Sequence, residues 1–291
     1  MNEYDNPEIY QQTIPVSRPK RKFRFRIKPL PHNKPAVNIV LFVLTILSTY
    51  ITGGAWYSFA TITILLSHEM GHYLMCRKYG VPATLPFFIP FPKLNPFGTM
   101  GAVIQMRGAI PNRRALFDIA AAGPLASFFL SIPAIYFGMT MSHVVPVQSS
   151  YGGMLELGDS LLFKAISFLA VGHLSDEVTL VLHPLSYAGW VGLFVTALNL
   201  LPIGQLDGGH VIYSVFGRNS RTVSYIFLVA LGVLTIIYPG WGLLFVLLLF
   251  FGRTHPAPID DYTPLDRKRR LIGYFILLIF ITCFTPIPFK F

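Results

Sequence analysis

His68 and His72 stand four residues apart in the run His68-Glu-Met-Gly-His72, inside an otherwise apolar block. On a helix that spacing puts both imidazoles on one face, within reach of one metal ion. Glu69 follows His68 by about 100° around the helix, which brings it beside His72. There a carboxylate can reach a water at the metal without being a ligand. Two nitrogen ligands and an adjacent general base are the ingredients of metal-assisted hydrolysis. Three ionisable side chains within five residues of an apolar helix are costly to bury without a function. The bland alternative is a polar helix face on which His and Glu satisfy each other.

Zinc in a catalytic site takes three protein ligands and keeps a fourth position open. The third ligand is expected at Asp207, in Asn199-Leu-Leu-Pro-Ile-Gly-Gln-Leu-Asp-Gly-Gly-His210. Pro202 removes a backbone donor, and Gly204, Gly208 and Gly209 loosen the chain. Such a broken helix is tolerated at membrane depth where it lines a protein cavity. A glutamate ligand is the alternative, but the later apolar blocks offer no well-placed Glu. His210, three residues after Asp207, suits either support of the metal site or a structural role. His32, His143, His173, His183 and His255 fall in expected loops or helix ends without ligand spacing and read as surface or capping residues.

The elements that must position these residues are membrane helices. Of 291 residues 53% are hydrophobic and 12% charged, against about 25% charged in a soluble domain. The fold class expected is an all-α polytopic membrane protein with about six to seven transmembrane helices. Apolar blocks run over about 36–52, 56–79, 115–141, 185–216 (broken at Pro202-Ile-Gly204), 222–238, 241–251 and 271–288. Gly53-Gly54 turns the chain between the first two. Five prolines at 82, 86, 90, 92 and 96 exclude a helix, and 98–106 reads as a short strand. An outer loop, 142–184, has room for an amphipathic helix near 154–170.

The net charge of +10 does not point to nucleic acid. Much of it lies in Arg18, Lys20, Arg21, Lys22, Arg24, Arg26 and Lys28, just before the first block, where a cytoplasmic flank carries positive charge. Residues 1–35 are therefore expected to be a disordered basic cytoplasmic tail. The positive-inside rule places Arg77, Lys78, Arg107, Arg113, Arg114, Arg218, Arg221 and Arg267 to Arg270 on the same side. His68, His72 and Asp207 then meet at similar depth, open to the cytoplasmic side. Cys76 and Cys283 form no CxxC pair and read as buried apolar residues.

The pair of motifs, HEMGH and Asn-x-x-Pro-x-x-x-Leu-Asp-Gly, resembles the site-2 protease family of intramembrane zinc metalloproteases, over about residues 55–220. The resemblance implies one zinc at His68, His72 and Asp207, with Glu69 as the base. It implies that Asn199 lies at the active site, orienting substrate or stabilising the oxyanion. It also implies that the proline-rich piece, 82–108, is a re-entrant β-hairpin near that site. One motif departs: the family's Gly-Pro-x-x-Asn reads Gly123-Pro-Leu-Ala-Ser127 here, a change that removes no metal ligand. The small run Ala120-Ala-Ala-Gly123 suits close helix packing. The 142–184 loop is too short for a domain of the PDZ type, typically ~100 residues.

The domain reading is a membrane-embedded core over 36–254, followed by a polar loop and a last transmembrane helix over 255–291. The expected function is hydrolysis of peptide bonds in or near transmembrane segments of membrane-protein substrates, with the bilayer and those substrates as partners and no nucleic acid. With no targeting peptide visible, a prokaryotic cytoplasmic membrane is the simplest location. Two rival classes are a metal-binding transporter, against which stand the absence of an internal repeat and the presence of Glu69, and a catalytically silent scaffold.

Overall fold

Gly54 lets the first two apolar blocks fold back on one another. Both lie in α1 (Pro35–Lys78), but Gly54 has φ 77° and ψ −171°, a backbone state that suits glycine. Ser58 Oγ donates to the Ile46 carbonyl at 3.1 Å and lies 2.8 Å from Thr49 Oγ1. In a straight helix residues 46 and 58 would be about 18 Å apart, so the chain reverses at Gly54 and α1 is a helical hairpin. The structure is a computed structural model that describes residues 35–93, 95–146, 156–175, 177–251 and 258–290. The expected basic tail lies outside the described residues, apart from Pro35.

The prolines after α1 do exclude a helix, and the segment forms a β-hairpin instead. Strand β1 (Phe87–Pro90) pairs antiparallel with β2 (Thr99–Val103), Phe87 opposite Val103 and Phe88 opposite Ala102. The pairing continues outward through an Ala83–Met106 bridge. The Asn95 side chain accepts from the Phe97 and Gly98 amides at 3.1 and 2.7 Å and so closes the turn. The hairpin rests on α1: Asn38 Nδ2 donates to the Leu85 and Pro86 carbonyls, Ser48 to Gly98, and Tyr57 to Phe97.

Helix α2 (Arg113–Thr140) starts where the Asn112 side chain accepts from the Ala115 amide, and it is the most buried of the long apolar helices. It packs between α1 and α4 (Pro184–Asn199), as its small residues allow. On one side of the bundle, β3 (His143–Pro146) pairs with β5 (Val178–Val181), and α3 (Leu161–Val171) is capped by Ser160. The last described residues of the chain return to this side: β6 (Phe289–Lys290) pairs with β4 (Glu156–Leu157). The remaining helices are α5 (Asp207–Phe216), α6 (Ser220–Ile237), α7 (Gly242–Phe251) and α8 (Arg267–Cys283).

The last helix differs from the sequence expectation at both ends. It begins at Arg267 because the Asp266 carboxylate caps it through the Arg269 amide, and it stops at Cys283 ahead of Pro286 and Pro288. Among the described residues the fold is mostly helical with three two-stranded sheets, the expected hairpin and two more. Among the described residues, three stretches are long and apolar enough to cross a membrane: Pro35–Lys78, Arg113–Thr140 and Asp207–Ile237. Their exposed side chains include Ile39, Leu47, Phe129, Phe137, Val229 and Ile236, which suits lipid better than water. Cys76 and Cys283 are both buried and free, as expected.

Candidate metal centre

The second half of the α1 hairpin carries His68, Glu69 and His72, all less than 9% exposed. The two imidazoles face one way because they are four residues apart. Their Nε2 atoms are 3.1 Å apart. Helix α5 begins at Asp207, and its Oδ2 lies 3.3 Å from His68 Nε2 and 3.2 Å from His72 Nε2. The fit to a metal can be tested from these three distances. A tetrahedral ion with bonds of about 2.0–2.1 Å has ligand–ligand edges of about 3.3–3.4 Å. The three donor atoms are spaced close to that, and together they form the one His/Cys/Asp/Glu cluster of metal-binding geometry among the described residues.

The outer nitrogens of both rings are occupied. His72 Nδ1 lies 2.7 Å from the Ile119 carbonyl oxygen, which can only accept, so Nδ1 carries the proton and Nε2 presents its lone pair. For His68 the argument runs through two hydroxyls. Thr196 donates to the Gly192 carbonyl at 2.7 Å. Ser127 Oγ lies 2.8 Å from Thr196 Oγ1 and 3.1 Å from His68 Nδ1. The arrangement that serves every group runs from His68 Nδ1–H to Ser127, from Ser127 to Thr196, and from Thr196 to Gly192. It too leaves Nε2 free for a metal, as outer hydrogen bonds to metal-ligating histidines usually do.

Close helix packing makes this possible. A Cβ at position 123 would lie 2.2 Å from His72 Nε2, and one at position 71 only 2.6 Å from the Ala122 carbonyl oxygen. The small run read in the sequence as a packing device therefore also makes room for the His72 imidazole.

Beside the three donor atoms is a cavity of about 230 Å³. Glu69, His72, Asn199, Gln205, Asp207 and His210 line its polar part; Val103, Ile104, Met106, Ile110, Leu116 and Ile119 line its apolar part. Asn199 Nδ2 lies 3.3 Å from His68 Nε2, so the structure brings Asn199 to the cluster. The backbone of Ile104, just past β2, is within hydrogen-bonding reach of the Glu69 carboxylate. His210 lines the cavity but is not one of the three converging ligands. Among the other histidines, His183 caps α4, accepting from the Leu185 amide, while His143 and His173 are exposed. His32 and His255 lie outside the described residues.

Sequence reasoning left the role of Ser127 open and passed over Thr196 and the Ile119 carbonyl. Thr196 stands three residues before Asn199 on α4, on the same helix face, which was the one available signal. A backbone carbonyl as partner leaves no trace in residue types.

Comparison with known proteins places these residues in a family. Residues 56–237 match the model described as peptidase family M50. The chain is similar to the probable zinc metalloprotease EGY2, chloroplastic, of Arabidopsis thaliana, at 30% identity over 79% of this chain and 41% of that protein. It is similar to the probable zinc metalloprotease EGY1, chloroplastic, of the same plant, at 34% identity over 77% of this chain and 42% of that protein. The counterpart of EGY1 in Oryza sativa subsp. japonica is 33% identical over 79% of this chain and 40% of its own length. The chain thus spans about two fifths of the length of these relatives. No solved structure matches it. The family match covers more than half of the chain and includes both metal motifs, so the chain belongs to peptidase family M50, the site-2 protease family of zinc metalloproteases.

Proposed function

We propose that the chain is an intramembrane zinc metalloprotease that hydrolyses peptide bonds in or near transmembrane segments of membrane-protein substrates, the reaction of regulated intramembrane proteolysis. The observation that carries this reading is the convergence of His68 Nε2, His72 Nε2 and Asp207 Oδ2 within 3.1–3.3 Å beside a cavity that also holds Glu69. His68, His72 and Asp207 hold the metal. The chemistry supplied at that position by zinc is Lewis acidity, towards water and towards a peptide carbonyl.

The chain's own residues do the rest. Glu69 takes the proton of the attacking water and returns it to the leaving amine. Asn199 donates from its amide to the carbonyl oxygen as charge develops there. The apolar wall of the cavity receives the substrate and limits water to the polar end. A substrate helix offers no free carbonyl, so it must unwind. The end of β2 at Val103, with Ile104 just past it, lines the cavity, which supports pairing of an extended substrate segment along that edge.

Six to seven crossings remain our reading, supported by the apolar α1 hairpin, α2 and α6 and extended to the shorter α4, α7 and α8, with the β-hairpin re-entrant between α1 and α2. The basic residues at the ends of these helices support an orientation with the open side of the cavity towards the cytoplasm. A prokaryotic cytoplasmic membrane is the location in this reading, whereas the names of the plant relatives assign those proteins to the chloroplast.

The test is Glu69→Gln in the full chain, assayed on a membrane-anchored reporter substrate. Cleavage should fall by at least three orders of magnitude while zinc stays bound. Cleavage at the wild-type rate would remove Glu69 from the mechanism.

A further inference from the structure

The family match ends at residue 237, but the chain beyond it returns to the frame of the metal centre. Residues 258–266 run along the segment that leads into α2. The Ile259 amide donates to the Ile110 carbonyl at 2.9 Å, the Asp260 amide to Pro111 at 3.0 Å, and Asn112 and Asp260 form a parallel bridge. Arg114 Nε donates to the Pro264 carbonyl at 3.0 Å. The Asp260 carboxylate is used locally, accepting from the Tyr262 and Thr263 amides.

Asp261 is used differently. Its Oδ1 accepts from Arg113 Nη2 at 3.1 Å and Nε at 3.3 Å, and its Oδ2 accepts from the Tyr213 hydroxyl at 2.8 Å. The Arg113 guanidinium also lies over the Tyr213 ring, 5.9 Å from its centre. Arg113 is the first residue of α2, the helix whose Ile119 carbonyl and Ser127 hydroxyl hold the outer nitrogens of His72 and His68. Tyr213 belongs to α5, six residues and about 9 Å of helix rise after Asp207. One carboxylate therefore joins the helix that orients the two histidines to the helix that carries the third ligand.

Helix α5 needs such a tie. It has ten residues, begins straight after an irregular stretch, and its N-cap, Leu206, offers no side-chain cap. A turn of α5 about its own axis would swing the Asp207 carboxylate away from the two imidazoles.

We propose that Asp261 is a positioning residue for the metal centre: by clasping Tyr213 of α5 to Arg113 of α2, it fixes Asp207 against His68 and His72 and so sets how tightly zinc is held. The inference rests on the zinc reading given above.

The experiment is zinc competition with a chromogenic chelator on the full chain in detergent, for wild type, Asp261→Asn, Tyr213→Phe and the double variant. Thermal unfolding of each metal-free protein is followed alongside. Each single variant should lose about tenfold in zinc affinity, in the range typical of lost outer partners of metal ligands. The double variant should lose no more than the worse single one, because both remove the same link. The metal-free proteins should lose clearly less stability than the loss in zinc affinity represents, with metal-free Tyr213→Phe melting beside wild type. Lys290→Ala, which breaks the distant pair with Glu156, should leave zinc affinity unchanged. Zinc affinity within twofold of wild type in folded variants would overturn the proposal, as would equal losses of zinc affinity and of metal-free stability. If Asp261→Asn does not fold, Tyr213→Phe, which removes one hydroxyl, decides alone. A wild type that binds no zinc would instead remove the functional reading itself.

Discussion

Ser127 Oγ stands 3.1 Å from His68 Nδ1 and 2.8 Å from Thr196 Oγ1, so one hydroxyl on α2 joins the His68 imidazole on α1 to α4. The motif that this helix resembles often carries Asn at this position. Ser is shorter, and Thr196 supplies the second polar group that lets Ser127 accept from the ring. Ser127→Ala removes that acceptor and frees His68 to rotate or change tautomer. Zinc affinity should fall about 10- to 100-fold, read by chelator competition, with little loss of folding stability. Unchanged affinity would mean that the helix alone orients His68.

Gly123 is the second test of the frame. Its place against His72 leaves no room for a methyl group, since a Cβ there would sit 2.2 Å from Nε2. Gly123→Ala should therefore displace the His72 ring and strip the zinc while the protein still inserts and folds. Stoichiometric zinc in a folded Gly123→Ala protein would contradict the helix spacing described here.

Substrate pairing is tested on the end of β2. Ile104→Pro removes one backbone donor, the Ile104 N–H that faces Glu69 just past the end of β2. Cleavage of a reporter substrate should drop at least tenfold, with zinc content and folding retained. If cleavage persists at the wild-type rate in the folded variant, the edge does not bind substrate.

Arg269 bridges the ends of two helices, with Nη2 2.7 Å from Asp118 Oδ2, and Asp118 also accepts from Tyr79. Both charged groups are less than a quarter exposed. Arg269→Gln leaves Asp118 without its cation and should destabilise the fold by about 1–3 kcal/mol, seen as an earlier thermal transition in detergent. An Asp118→Asn, Arg269→Gln double variant should recover part of the loss. No change in the single variant would place the pair among weak surface contacts.

Much of this site was legible in the sequence because its chemistry depends on local spacing. His68, Glu69 and His72 lie within one helix turn and a half, and Asp207 stands out as a carboxylate in a glycine-rich break of an apolar run. The reversal at Gly54 was legible for the same reason, as a Gly-Gly pair between two apolar blocks. What joins distant segments was not. The bond from Ser127 to Thr196 spans 69 residues and that from Arg113 to Asp261 spans 148. Neither pair has a periodic signature, since a hydroxyl or an ion pair at a helix end is usually a solvated or capping group. The β4–β6 pair involves two residues on each side, too short for any alternation to register.

The most direct measurement is the zinc content of the purified full chain, wild type beside Asp207→Ala, after exhaustive dialysis in detergent. The account predicts about one zinc per chain in the wild type and its loss in the variant, since the His68–His72 pair and the Asp207 carboxylate, 135 or more residues apart in the sequence, form one site. Folded wild type without zinc, or full zinc retention in folded Asp207→Ala, would contradict it.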